Sequence, residues 1–135
     1  MIKIIDNIYQ SWYIKVMVKL NKGTNKNLPI YVSGPITSLC KLGQDWRAPF
    51  REAETALRRL GFREIHNPVD IAAGVETMCA ALGREAKYAD YMKADIEMLV
   101  KCKTILLLRG WEASKGAQLE YQIAEALHME ILYER

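Results

Sequence analysis

Two carboxylates fall where a helical pattern reserves apolar residues. Residues 114–128 read as a helix, and Ala117, Ala124 and Leu127 mark its inward stripe at steps of three and four. Glu120 lies on that stripe, while Gln118, Gln122 and Glu125 take the outer side. The preceding helix, Tyr88–Lys101, repeats the violation: Tyr88, Met92 and Leu99 define its inward face, and Asp95 lies on it. A buried charge without a partner is costly, so such groups are paired, shifted in pKa or set against a cavity. Two carboxylates facing one cavity can break a glycosidic bond, one as nucleophile and one as proton donor. Retaining enzymes hold such a pair ~5–5.5 Å apart.

The two acids are expected to differ. Glu120 sits in the second turn of its helix, where the positive end of the dipole favours an ionised nucleophile. Asp95 lies inside its helix beside Tyr91 and Met92, where desolvation would raise its pKa as a general acid requires. Other candidates have two readings each. Ser114 is an N-cap by position, and a helix start also binds phosphate. Gly116 and Ala117 leave room for a ligand. Ser33-Gly34-Pro35-Ile36 is either a tight turn or a loop whose amides approach a ligand. Tyr31 is either a core strand aromatic or a site residue, and Trp111 either covers the core or stacks on a base.

The elements that must position these residues alternate. Strands are expected at 28–33, 62–66, 104–108 and 130–133. Helices are expected at 46–60, 88–101 and 114–128, with a short one near 75–82 in an otherwise irregular 69–87. Gly61 and Gly83 stand where helices end. The apolar run Thr104–Leu108 suits a strand buried on both faces. The order predicts an α/β three-layer sandwich with a parallel sheet of four to five strands. Ligands of such sheets bind at the carboxyl ends of the strands, where the loops after Ser33, Asn67 and Leu108 open.

Composition narrows the class. The chain has 135 residues, half of them apolar, enough for one domain with a real core. No apolar run approaches the ~20 residues that span a bilayer. Charged residues interrupt the N-terminal apolar positions, so no signal peptide is read and a cytoplasmic protein without membrane contact is expected. The three cysteines (Cys40, Cys79, Cys102) and two histidines are scattered, so neither metal nor other cofactor is expected. Residues 1–28 carry five Lys against one Asp, a basic extension on a nearly neutral domain of residues 29–135. Its lysines are dispersed and Arg is absent, so a solvated tail or an edge strand at 13–20 is expected rather than a nucleic-acid contact.

Taken together, the motifs resemble the nucleoside 2-deoxyribosyltransferase-like family. Tyr31-Val32-Ser33-Gly34-Pro35-Ile36-Thr37 resembles its opening strand and loop. Asn67-Pro68 ends the second strand as in small bacterial and phage members. Tyr91-Met92-Lys93-Ala94-Asp95-Ile96 resembles the acid-bearing helix, and Gly110 through Ala117 leading to Glu120 resembles the nucleophile segment. The match covers about residues 29–133. It implies a flavodoxin-like sheet and cleavage between a nucleobase and a (deoxy)ribose. By motif position, Glu120 would attack C1′, Asp95 would protonate or position the base, and Tyr31 would stand near the nucleophile. Ser114, six residues before it, matches a serine that contacts the 5′-phosphate in the related deoxynucleoside-monophosphate N-hydrolases.

Three positions depart from the pattern. Lys103 replaces an Asp, Pro35 replaces a phosphate-binding Ser, and the chain stops at Arg135 before the segment that completes a neighbour's site in transferases. Hydrolysis is therefore expected over base exchange, on a nucleoside or nucleoside 5′-monophosphate, in a homo-oligomer of two or more copies. The alternative is a non-catalytic module that senses a nucleotide with the same pocket.

Overall fold

The structure is a computed structural model that describes residues 23–134. The basic extension, including the strand expected at 13–20, lies almost wholly outside them. Four strands form one parallel sheet: β1 (Ile30–Ser33), β2 (Ile65–His66), β3 (Thr104–Leu107) and β4 (Glu130–Tyr133). Their spatial order is β2-β1-β3-β4. The helices are α1 (Thr37–Lys41), α2 (Arg47–Arg59), α3 (Pro68–Ala81), α4 (Tyr88–Leu99) and α5 (Lys115–Ala126). The architecture is the expected flavodoxin-like three-layer α/β sandwich.

Alternation along the strands builds the two cores. Ile30 and Val32 of β1, with Leu106 of β3, face α2 and pack on Phe50, Ala53 and Leu57. Tyr31 of β1, with Ile105 and Leu107 of β3, faces the other way, toward Leu99 of α4 and Ala124 of α5. Because side chains alternate across a strand, Ser33 falls on the same face as Tyr31. Two hydroxyls two residues apart are thereby aimed at the α4–α5 layer. The order reverses between β1 and β3, which places the crevice used by doubly wound folds at the ends of those two strands.

Two differences from the expected elements have physical causes. The second strand shrinks to two residues, and α3 runs from Pro68 instead of beginning near Val75. Asn67-Pro68 stops the strand and at once starts the helix. The Asn67 side chain accepts from the amides of Val69 (2.9 Å) and Asp70 (3.3 Å), and Pro68 occupies the first turn, where its missing N–H costs nothing. The segment read as irregular is therefore a 14-residue helix. The α3–α4 connection is clamped by a two-bond contact from Arg84 to Asp90 (2.7 and 2.9 Å), and Asp90 also accepts from the Lys87 amide.

Candidate active site

Glu120 and Asp95 are both buried, as their places on the helical stripes required. Glu120 is 5 % exposed and Asp95 7 %. Ala117 and Ala124 flank Glu120 on the inner face of α5, whereas Leu127, expected on the same stripe, is 52 % exposed just past the helix end. On α4, Leu99 is buried, and Tyr88, expected inside, stands 61 % exposed at the rim. The small residues let α5 approach the sheet closely enough for β1 to reach Glu120. Tyr31 donates its hydroxyl to one carboxylate oxygen (2.5 Å) and Ser33 donates to the other (2.7 Å). Both oxygens are thus fixed, and neither carboxylate has a cationic partner among the described residues.

The two acids line one cavity of about 450 Å³, with Gly34, Ile36, Ser114, Lys115 and Gly116 also on its wall. That volume lies within the range of small-molecule sites. It opens at the β1–β3 crevice. Gly34 makes the crevice possible: a Cβ there would lie 2.9 Å from Leu108 Cβ, so only glycine lets the β1 and β3 ends converge. Gly116 lies against Met92 and the Tyr88 hydroxyl, bringing the start of α5 up to α4.

Burial governs the acidities. Asp95 is pushed up to about 8, first by desolvation and then by the charge of Glu120. Glu120 rises to about 7 by desolvation, held back by the bonds from Tyr31 and Ser33. Glu120 leaves the ordinary carboxylate range because burial removes more solvation than the two hydroxyl bonds restore. The order of the two groups is nonetheless the one expected. Tyr31 is raised well above its usual value by burial and by both acids, so it remains a donor.

The other sequence candidates divide. Ser114 caps α5, accepting from the Ala117 amide (3.3 Å), and also lines the cavity. Gly34, Ile36 and Gly116 form wall, and Ser33 acts through Glu120. Tyr31 and Ser33 bond Glu120 without lining the cavity, and three candidates do neither. Asn67 is buried, occupied by its capping bonds and by donation to Glu54. Pro35 is buried with its ring under Gly110. Trp111 packs on Tyr121 (centroids 4.9 Å apart) and near Tyr133 (6.2 Å), covering the core beside α5.

A family model described as a domain of unknown function, DUF4406, matches residues 28–133. The chain belongs to that family. No curated protein and no solved structure matches it. In this DUF4406 chain the structure adds wall residues that pattern reading missed: Thr37, Ser38 and Lys41 of α1, and Met92 of α4. Helix α1 has no buried residue and no side-chain cap, so no apolar period announces it. Among the described residues no three His, Cys, Asp or Glu side chains converge as a metal cage requires, and no helix is long and apolar enough to cross a membrane.

Proposed function

We propose that the protein is a nucleoside 2-deoxyribosyltransferase-like N-glycosidase that cleaves a (deoxy)nucleoside 5′-monophosphate through a covalent intermediate on Glu120. The observation that carries this reading is the unpaired carboxylate pair on one ligand-sized cavity, with Glu120 oriented through both oxygens. In the first half-reaction a Glu120 oxygen attacks C1′ and the C1′–N bond breaks. The bonding pair leaves with the base, which takes the Asp95 proton. In the second, Asp95, now ionised, accepts a proton from water as the water oxygen attacks C1′ and frees Glu120. A second base in place of water would give exchange.

The acidities support this division of labour. Between about 7 and 8 the nucleophile is mostly ionised and the acid mostly protonated. Phosphate is favoured over a free 5′-hydroxyl by Ser38, Lys41, Ser114 and Lys115 on the wall around the start of α5. Lys115 sits in the first turn, where its charge opposes the helix dipole, a placement that an anionic ligand would reward.

The test is mass-spectrometric detection of free base from a panel of nucleosides and 5′-monophosphates. Glu120→Gln should lower release at least ~10³-fold and Asp95→Asn by ~10²–10⁴-fold. Release that persists unchanged in Glu120→Gln would overturn the mechanism. Stabilisation by nucleotides with no base released by the wild-type protein would instead indicate a sensing module.

A further inference from the structure

Past Asp95 the cavity continues into a second hollow of about 360 Å³. The two hollows share Ile36, Thr37, Pro68, Tyr88, Met92 and Asp95. Glu120, Ser114 and Lys115 line only the first, whereas Trp46, Arg47, Glu76 and Tyr91 line only the second. Asp95 therefore stands on the boundary. If C1′ is held at Glu120 and the atom leaving it at Asp95, as the proposed function requires, the rest of the base extends into the second hollow.

The second hollow has the character of a base site. Trp46 and Tyr91 give it aromatic walls, and Trp46 is braced edge-on by Phe50 (centroids 5.8 Å apart, 78°). The Arg47 guanidinium lies over the Trp46 ring, 4.7 Å from its centroid, which fixes a flexible side chain at the mouth. The Arg47 guanidinium has no carboxylate partner and Glu76 no cationic one among the described residues, although the Arg47 amide donates to Asp45. Both are close enough to the Tyr91 hydroxyl to act on its pKa after burial does, Glu76 pushing it up and Arg47 pulling it down. One hollow thus carries a stacking surface, a two-pronged donor and an acceptor-only group.

We propose that this hollow reads guanine, with Arg47 donating to O6 and N7 and Glu76 accepting from N1–H and the 2-amino group. Guanine is the base that offers an acceptor pair and a donor pair on neighbouring edges. The Arg fork matches its O6 and N7. Adenine would turn an amino group toward Arg47 and offer Glu76 no N1–H. A pyrimidine has no N7 and cannot fill the Arg47 fork with an O6/N7 pair. Hypoxanthine keeps O6, N7 and N1–H and loses only the 2-amino contact.

Calorimetric titration of the Glu120→Gln protein, which should bind without turnover, separates these contacts. The order expected is dGMP tightest, dIMP about 10-fold weaker, and dAMP and dCMP about 100-fold weaker. Glu76→Gln should bring dGMP down to the level of dIMP, with a smaller effect on dIMP. Arg47→Ala should weaken both about 10-fold or more and leave dAMP nearly unchanged. Both side chains are exposed, so these variants should fold; circular dichroism checks it. Equal affinity for all four nucleotides, or a preference that survives both substitutions, would overturn the assignment. The proposed function is tested separately. Glu120-dependent cleavage without base preference would leave that function standing and remove the guanine site. Tight binding of dGMP that depends on Arg47 and Glu76, with no cleavage by the wild-type protein, would do the reverse.

Discussion

At the scale of single residues, Glu120 and Asp95 are titrating groups held in a nearly dry place, and pH should expose them. Activity requires Glu120 ionised, so it should rise as pH passes about 7; it requires Asp95 protonated, so it should fall beyond about 8. The pair titrates as a unit, and kcat/KM against pH should trace a narrow bell between those limits. A plateau from pH 5 to 10 would deny one of the two roles. Stability should respond as well. Both folded values lie above the ordinary carboxylate range, so the folded chain keeps protons that the unfolded chain releases, and stability falls as pH rises from about 4 to 8. Asp95 has no hydrogen-bond partner to lose among the described residues, so Asp95→Asn should relieve that cost. Its Tm advantage over the wild type should grow by roughly 5 °C or more between pH 5 and pH 8; thermal scans at the two pH values would read it, and a pH-independent difference would contradict it. These two acids were legible because they break an apolar period. Ser33 was legible only as part of a turn, although its distance of two from Tyr31 on a strand already placed both hydroxyls on one face.

At the scale of elements, α5 is the centre of the site because its start forms the cavity wall and its second turn carries Glu120. Lys115→Glu should improve the fold slightly by favouring the dipole, raising Tm by about 1–4 °C. It should also raise KM for a 5′-monophosphate about 10-fold and leave a free nucleoside unaffected. Equal effects on both substrates would place the phosphate elsewhere. The far end of α5 gives a test without chemistry. His128 adopts φ 56° just beyond the C-terminus, a left-handed conformation that glycine tolerates better. His128→Gly should stabilise by roughly 0.5–1 kcal/mol in urea titrations, with activity unchanged. Elements with a strong apolar period, α2, α4 and α5, could be read from the sequence with small errors at their ends. Helix α3 could not, because its sides are nearly uniform in hydropathy and its start signal, Asn67-Pro68, reads equally as a strand stop. Helix α1 could not because it buries nothing.

At the scale of the whole molecule, the parallel sheet follows from alternating strands and helices, while its 2-1-3-4 order, seen only in the folded chain, fixes the crevice. The cavity's second lobe was not legible, because it is assembled from residues 36–47, 68–76 and 88–95, which come together only in the folded chain. Membership of the DUF4406 family leaves the chemistry open, so the intermediate itself must decide it. The direct measurement is peptide mass mapping after acid quench of the protein with a 2′-deoxy-2′-fluoro nucleoside 5′-monophosphate, whose fluorine slows both half-reactions by destabilising the oxocarbenium-like transition state. A Glu120 nucleophile predicts the added mass of one fluoropentosyl phosphate on the peptide that contains Glu120, with one base released per chain and neither event in Glu120→Gln. Steady release of base with that peptide unmodified, at the same rate in Glu120→Gln, would contradict it.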